Sequence, residues 1–301
     1  MITQKIIQQF LAKSNSKIDL KKYATDWSGA EDEEDKDREW VKEQAEKLLA
    51  QTRDELSEVQ ELLYASNTHS VLLIFQAMDA AGKDGTIRHV MSGVDPQGCQ
   101  VYSFKKPSLE EMDHNFLWRY MKSLPERGRI GIFNRSYYED VLVVKVHPET
   151  IDSSQFGKPD KKFWKKRYED INNFEKHLNR NGTLVLKFFL HMSKDEQRQR
   201  FLDRLNDPSK HWKWADGDLV ERESWDSYQR AFEDAIRATS TKKSPWYIIP
   251  ADRKPVARAL VAEIIVSEIQ RMKLEYPIVS NEQMQRLMIA KTKLEAASDP
   301  L

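Results

Sequence analysis

The sequence predicts an α/β protein: a five-stranded parallel sheet flanked by helices. Three observations carry that expectation. Five short strand-like runs (Val71–Phe75, Gln100–Phe104, Arg129–Phe133, Thr183–Leu190 and Trp246–Ile249) are separated by segments with helical character. Strands alternating with helices imply a parallel sheet covered on both faces. The stretch Val71–Val90, VLLIFQAMDAAGKDGTIRHV, reads as strand, tight loop and helix without interruption. And 301 residues suffice for one large domain of this class with additions, or for two modest ones.

In chain order, residues 1–66 form a helical extension. A short amphipathic piece, Ile2–Leu11, precedes a surface stretch and an acidic run, Glu31–Asp37. From Arg38 to Leu63, apolar residues such as Trp40, Ala45, Leu49, Leu56 and Leu63 recur at helical spacing, which predicts one long amphipathic helix. Residues 67–272 form the core. Gly93, Pro96 and Gly98 stop the helix that follows the first core strand. Ser108 and Glu111 form a capping box that opens a helix expected to reach Leu124. Asn172–Leu178 lies in another helix, ended by Asn181–Gly182, and Ser193 caps a charged helix, Lys194–Leu205. Lys254–Met272 and Asn281–Ala297 read as closing helices, with residues 273–301 as a helical tail.

Composition narrows the function. Lys plus Arg and Asp plus Glu balance at 48 each, so no global nucleic-acid footprint exists and any basic function is local. The single cysteine, Cys99, excludes an internal disulfide and fits a reducing compartment. No signal-like apolar segment opens the chain and no run spans a membrane, so a soluble cytoplasmic protein is expected. The seven His show no zinc-ligand spacing, and no Ser-His-Asp pattern stands out, which sets metal-hydrolase and acyl-transfer chemistry aside.

The loop after the first core strand carries the main functional signal. Gly82–Lys83 at a helix start is the setting in which backbone N–H groups and the helix dipole hold phosphate, with a lysine as mobile cation. The pattern is imperfect: Ala77 replaces the first glycine and Asp84 replaces the Ser or Thr that holds magnesium. Asp79 inside the loop would repel phosphate unless it faces a magnesium ion or an incoming phosphate. The plain alternative is a β-turn with a solvated lysine. After the third strand, Asn134 stands where many phosphate-loop enzymes place a metal-holding Asp, and Arg135 suits bidentate phosphate binding. Glu139 and Asp140 orient a metal, a nucleotide or Arg135, or form surface ion pairs. Arg198, Arg200, Arg204, Lys210 and Lys213 follow the fourth strand in a helix and loop, as in a kinase lid over about 194–220, or as an ordinary charged surface helix. Lys158–Arg167 is basic at six of ten positions and holds Phe163 and Trp164; single-stranded nucleic acid, an inorganic polyanion and a solvated face all fit it.

Together, QAMDAAGKDGT (Gln76–Thr86), FNRSYYEDVL from Phe133, and EQRQRFLDRLNDPSKHWKW (Glu196–Trp214) resemble the family 2 polyphosphate kinases over about residues 40 to 270. The resemblance implies a thymidylate-kinase-like phosphate-loop fold with a helical lid. It implies phosphoryl transfer between inorganic polyphosphate and nucleotides, with Mg²⁺ or Mn²⁺. The Lys83–Asp84–Gly85 and Glu139–Asp140 forms look most similar to the class III subgroup, which makes ADP and ATP from AMP and ADP. Departures at Asp84, Asn134 and Glu139 separate the chain from class I. By the same resemblance, Asp79, Lys83, Asn134, Arg135 and Arg200 would be catalytic, with Asp79 beside the metal. Ala80, Ala81, Gly82, Lys83, Asp84, Gly85, Thr86, Arg204, Lys210 and Lys213 would bind phosphate or polyphosphate. Asp79, Arg135 and Glu139 would meet the nucleotide, and Lys158–Arg167 would line the polyphosphate track. A homo-oligomer is expected, with no nucleic-acid or membrane partner; the terminal helices serve as subunit contacts or as packing. Two other readings share many of these residues: an ATP-dependent nucleoside monophosphate kinase, and a non-catalytic polyanion-binding protein with a degenerate loop.

Overall fold

Side chains alternate faces along a strand. In the central strand Val71, Leu73 and Phe75 enter one hydrophobic cluster, while Leu72 and Ile74 enter the other. Both faces are therefore covered. The computed structural model describes residues 4–14, 16–27, 37–151 and 157–297. Ile2 of the expected N-terminal piece, and the acidic run Glu31–Asp37 apart from Asp37, lie outside them.

Six strands form one sheet: β1 (Leu11–Ala12), β2 (Ser70–Ala77), β3 (Cys99–Ser103), β4 (Ile130–Asn134), β5 (Thr183–His191) and β6 (Trp246–Pro250), in the order β1-β6-β5-β2-β4-β3. The five expected strands are present and parallel. The sixth, β1, pairs antiparallel with β6 through Leu11↔Tyr247 and Ala12↔Trp246. Two residues are too few to show a periodicity, so the expectation of five strands is corrected to six.

One face carries the Arg38–Ser66 and Lys254–Gln270 helices, packed on each other. Asp37 caps the first by accepting from the Trp40 N–H at 2.8 Å, and Asn67 ends it in the left-handed region at φ 47°. Its buried residues Val41, Ala45, Leu49, Thr52, Leu56, Gln60 and Leu63 repeat every three or four positions, which is one helical stripe. The opposite face carries the Lys161–Arg180 and Trp225–Thr239 helices.

The helix expected from Ser108 to Leu124 is broken. Its capping box forms, but helix covers only Leu109–Met112 and then Trp118–Met121. His114 bonds back to the Glu110 carbonyl at 2.7 Å, and the Asn115 side chain accepts from the Leu117 N–H at 3.1 Å. Such local side-chain bonds compete with the helical ladder.

Phe75 aligns with Asn134, the last residue of β4, and with Phe188; β2 and β5 then run on together to Ala77 and Leu190, so β4 ends two residues short of them. The chain reaches β3 and β4 on one side of β2, and β5 and β6 on the other. The crevice beyond these strand ends is the switch point where open α/β sheets bind ligands.

Candidate active site

The loop between β2 and the Lys83–Val90 helix is held in strained backbone. Gly82 has φ 98°, and Ala80, a non-glycine, has φ 63°. Arg135, directly after β4, has φ 65°. Left-handed conformations of non-glycine residues cost of order 1–3 kcal/mol and collect at functional sites. Here they turn two loops toward each other at adjacent strand ends.

Arg135 lies between two carboxylates: its Nη2 is 3.0 Å from Asp79 Oδ1, and its Nη1 is 3.4 Å from Glu139 Oε2. Burial raises the Glu139 carboxyl above its ordinary range, with Arg135 pulling it back. Lys83 donates to the Ala77 carbonyl at 3.1 Å, across the mouth of the loop. Burial, then the Arg135 guanidinium, pushes its ammonium below the usual lysine value. An arriving phosphate's negative charge would raise the Lys83 ammonium again. Asn134 Nδ2 bonds the Asp84 carboxylate in the first turn of the loop helix and approaches Ser103 Oγ at 3.4 Å. Asn134 thus ties β4 to the helix start. Asp140 turns away from Arg135; burial lifts its carboxyl to about 7, against the pull of Arg167.

A cavity of about 250 Å³ opens beside this group. Met78, Leu142, Val143 and Phe232 give it an apolar wall, and Asp79, Arg135, Glu139, Asp218 and Glu221 a polar one. Arg135 is the only cation among its lining residues. Glu221 is engaged by Tyr228 Oη and by His147 Nε2 at 3.0 Å. Asp218 holds Arg204 at 2.8 Å, and burial followed by the Asp79 charge raises its carboxyl.

The lid residues are placed differently from the expectation. Arg200 is a buried anchor, its side chain 5% exposed. A guanidinium has five N–H donors, and here every one is used. Nε donates to Glu196 at 2.7 Å; Nη1 to the Ala80 and Ala81 carbonyls at 3.1 and 2.9 Å; Nη2 to the Ala251 and Asp252 carbonyls at 2.6 and 3.1 Å. The role of a free lid arginine closing on phosphate is corrected accordingly: with its donors spent, Arg200 fixes the outer side of the loop. Arg204 bonds the Lys213 carbonyl at 3.0 Å and Asp218, so it ties the lid to itself. Lys210 pairs with Asp207 at 2.7 Å, and Lys213 lies over the Trp212 ring at 5.0 Å; neither lines the cavity.

Sequence reasoning missed Gln197, whose side chain donates to the Asp79 carbonyl at 2.9 Å and is itself held by Arg222 at 2.8 Å. Its place one turn before Arg200 was the available signal. It also missed Tyr137 and Tyr138, whose hydroxyls donate to Glu175 at 3.0 and 2.8 Å. Glu175 meets Lys187 at 2.6 Å, and Lys187 is fully buried. This network fixes the Tyr137–Val141 turn that carries Glu139.

Comparison with known proteins decides the lineage. The family model for polyphosphate kinase 2 matches residues 39–277. The chain is a member of the polyphosphate kinase 2 family. Two relatives in the family align with nearly their whole length. One, from Rhodopseudomonas palustris and named an ADP-polyphosphate phosphotransferase, is 49% identical, covering 95% of this chain and 98% of its own. Another, from Meiothermus ruber and named an AMP/ADP-polyphosphate phosphotransferase, is 43% identical, covering 90% and 96%. The crystal structure of polyphosphate kinase 2 from Arthrobacter aurescens is similar at TM-score 0.80 and 37% identity, over 93% of this chain and 98% of that one. Among the described residues, no helix is long and apolar enough to cross a membrane.

Proposed function

We propose that this chain transfers phosphoryl groups between inorganic polyphosphate and adenine nucleotides, converting AMP to ADP and ADP to ATP. The observation that carries the reading is Arg135, poised between Asp79 and Glu139 at the mouth of a half-apolar cavity beside the Lys83 loop. A nucleoside suits the Met78, Leu142, Val143 and Phe232 wall, and its phosphate then lies at Arg135. Phosphoryl transfer needs in-line positioning and charge neutralisation more than covalent help. Loop N–H groups and Lys83 hold the donor end. Asp79 aligns Arg135 and, through Gln197, senses the lid.

A divalent ion fits this site. Carboxylates outnumber cations around the cavity, and their hard oxygens suit Mg²⁺ or Mn²⁺. Among the described residues no cluster of three or more acidic, His or Cys ligands exists. That matches an ion held by one or two carboxylates plus substrate phosphates. Asp79 and Glu139 would hold it, and it would supply neutralisation of the transferring phosphoryl group.

The reading extends to a homo-oligomer in the cytoplasm, with no nucleic-acid or membrane partner. The Asn281–Ala296 helix has no buried residue and exposes Met284, Leu287, Met288 and Leu294. An isolated helix of this length is marginal in water, so a second subunit is the partner proposed for it; light scattering tests this.

The first experiment offers polyphosphate plus AMP, polyphosphate plus ADP, and ATP plus AMP separately, each with Mg²⁺. ADP and then ATP made from AMP and polyphosphate alone is the expected result. Product from ADP only would remove AMP from the substrates. Product only with ATP as donor would overturn the polyphosphate reading.

A further inference from the structure

The Gly217–Glu223 helix carries Asp218 and Glu221 to the cavity, yet it buries no residue. Its apolar side chains Leu219 and Val220 are 52% and 59% exposed, so apolar burial does not hold it in place. Polar side chains do. Asp218 meets Arg204, and Glu221 meets His147 and Tyr228. Arg222 reaches across to the Lys194–Asn206 helix, where its Nη1 donates at 2.8 Å to the Lys194 carbonyl and at 2.8 Å to Gln197 Oε1.

The contact through Gln197 continues into the phosphate loop. Gln197 is 1% exposed, and its Nε2 donates to the Asp79 carbonyl at 2.9 Å. The two partners fix how the amide lies, because a carbonyl only accepts and a guanidinium only donates. Both ends of the amide are therefore in use. Glu at this position would lack the donor when ionised, and Met would offer no more than a weak acceptor.

The bond also lands where the loop is least free to relax. The Asp79 carbonyl belongs to the peptide that enters Ala80, whose φ of 63° is left-handed. A non-glycine residue keeps that conformation only while its surroundings impose it. Arg200 holds the next two carbonyls, of Ala80 and Ala81, and Gln197 holds the one before them. Releasing that peptide frees the backbone that aims the Asp79 carboxylate at Arg135, 3.0 Å away.

We propose that Gln197 is a positioning residue for the transfer step. With Arg222 it forms a relay that sets the Asp79–Ala80 peptide according to where the Gly217–Glu223 helix sits. The proposal rests on the functional reading above and adds how the cavity wall and the phosphate loop are kept in step. A nucleotide in the cavity lies against Asp218 and Glu221, on the same helix as Arg222. Loss of the relay leaves that wall standing, since Arg204, His147 and Tyr228 still hold the helix. Turnover should therefore suffer while nucleotide binding does not.

The test uses Gln197→Met, Gln197→Glu, Arg222→Met and the double Met variant of the full chain. The kcat and the KM for AMP are measured at saturating polyphosphate and Mg²⁺, beside Tm. Gln197→Met and Arg222→Met should each lower kcat about tenfold, with KM for AMP within about twofold of wild type. The double variant should fall no further than the worse single one, because both cut the same relay. Gln197→Glu keeps a partner for Arg222 but gives the Asp79 carbonyl no N–H. Its kcat should fall with the Met variants while its Tm stays above that of Gln197→Met. Arg222→Lys restores a donor to Gln197 and should recover most of the loss seen in Arg222→Met. Wild-type kcat in folded Gln197→Met or Gln197→Glu would overturn the relay, as would losses that multiply in the double variant or that follow Tm alone. If Gln197→Met fails to fold, Gln197→Glu and Arg222→Met decide by the same comparison. A wild-type chain that accepts only ATP as donor defeats the polyphosphate reading, and the relay is then judged by the same kcat ratios with ATP. A wild-type chain inactive with every donor defeats both.

Discussion

Replacing Arg200 by Ala is expected to loosen the phosphate loop and destabilise the chain, rather than merely to delete a phosphate contact. Arg200 satisfies four backbone carbonyls, at Ala80, Ala81, Ala251 and Asp252, and one carboxylate, at Glu196. A net hydrogen bond contributes about 1 kcal/mol, and more when the donor is charged. Four orphaned carbonyls near a surface that water partly refills give a loss of about 4 kcal/mol. That is a large share of a typical stability of roughly 5–15 kcal/mol. At about 2–4 °C per kcal/mol for chains of somewhat smaller size, Tm falls by roughly 10 °C. Arg200→Lys keeps the charge but offers three donors and no planar fork, so about half the loss is expected. Thermal unfolding by circular dichroism is measured beside kcat and both KM values. If Arg200→Ala left Tm within about 2 °C while kcat collapsed, the anchor role would be refuted and Arg200 would belong on the phosphate.

Asp79→Asn or Lys83→Ala should lower the rate at least ~100-fold with Tm little changed; near-normal turnover in either purified variant removes the site assignment. Lys187→Met alone leaves the Glu175 carboxylate buried without its cation and should cost about 3–5 kcal/mol, whereas the double change with Glu175→Gln should recover most of it. Urea unfolding of the three variants decides, and a double variant no better than the worse single one contradicts the pairing. Asp140 has a folded pKa of about 7 against an ordinary 3.8. Between those values the folded chain keeps a proton that the unfolded chain has released. Its contribution to stability is therefore full at the acidic end, falls as pH rises from about 4 to 7, and is level above. Asp140→Asn should remove that slope from unfolding curves taken at pH 5, 6, 7 and 8, and an unchanged slope would place the titration elsewhere.

Much of the fold was legible because four of the five parallel strands are apolar runs bounded by glycine, proline or capping residues; Cys99–Ser103, polar and only half-buried, is the exception. Leu11–Ala12 was not, since its strand character comes from pairing with Tyr247 and Trp246 far along the chain. The break at Asp113–Asn115 was hidden because a capping box announces where a helix begins and says nothing of where local side-chain bonds end it. Asp79, Lys83, Arg135 and Glu139 could be gathered as a candidate set because each lies in a loop at a strand end. Phe232, Tyr228, Glu221 and Asp218 come from helices well beyond the lid arginines, and no linear pattern says that they fold back over β4. Arg200 shows the sharpest limit. Its spacing with Arg204 put both on one helix face, but a guanidinium fits carbonyls as well as phosphate. Only the packing chooses between them.

The N-terminal residues have a consequence for association. β1 closes the β6 edge, and the chain after it is fastened there repeatedly. Ser240 Oγ donates to the Ala12 carbonyl, the Leu20 N–H donates to Glu233 at 2.8 Å, and His191 Nε2 donates to the Leu20 carbonyl at 3.1 Å. The Asp252 N–H donates to the Thr25 carbonyl at 2.9 Å, and Arg253 meets Asp26. An open strand edge is a template for pairing with another chain. A fragment cut to the family-matching residues 39–277 would keep the loop, Arg135 and the cavity, yet expose β6 to its neighbours. Such a fragment would retain its chemistry in dilute solution and aggregate on concentration, through an edge the full chain covers with its own first residues.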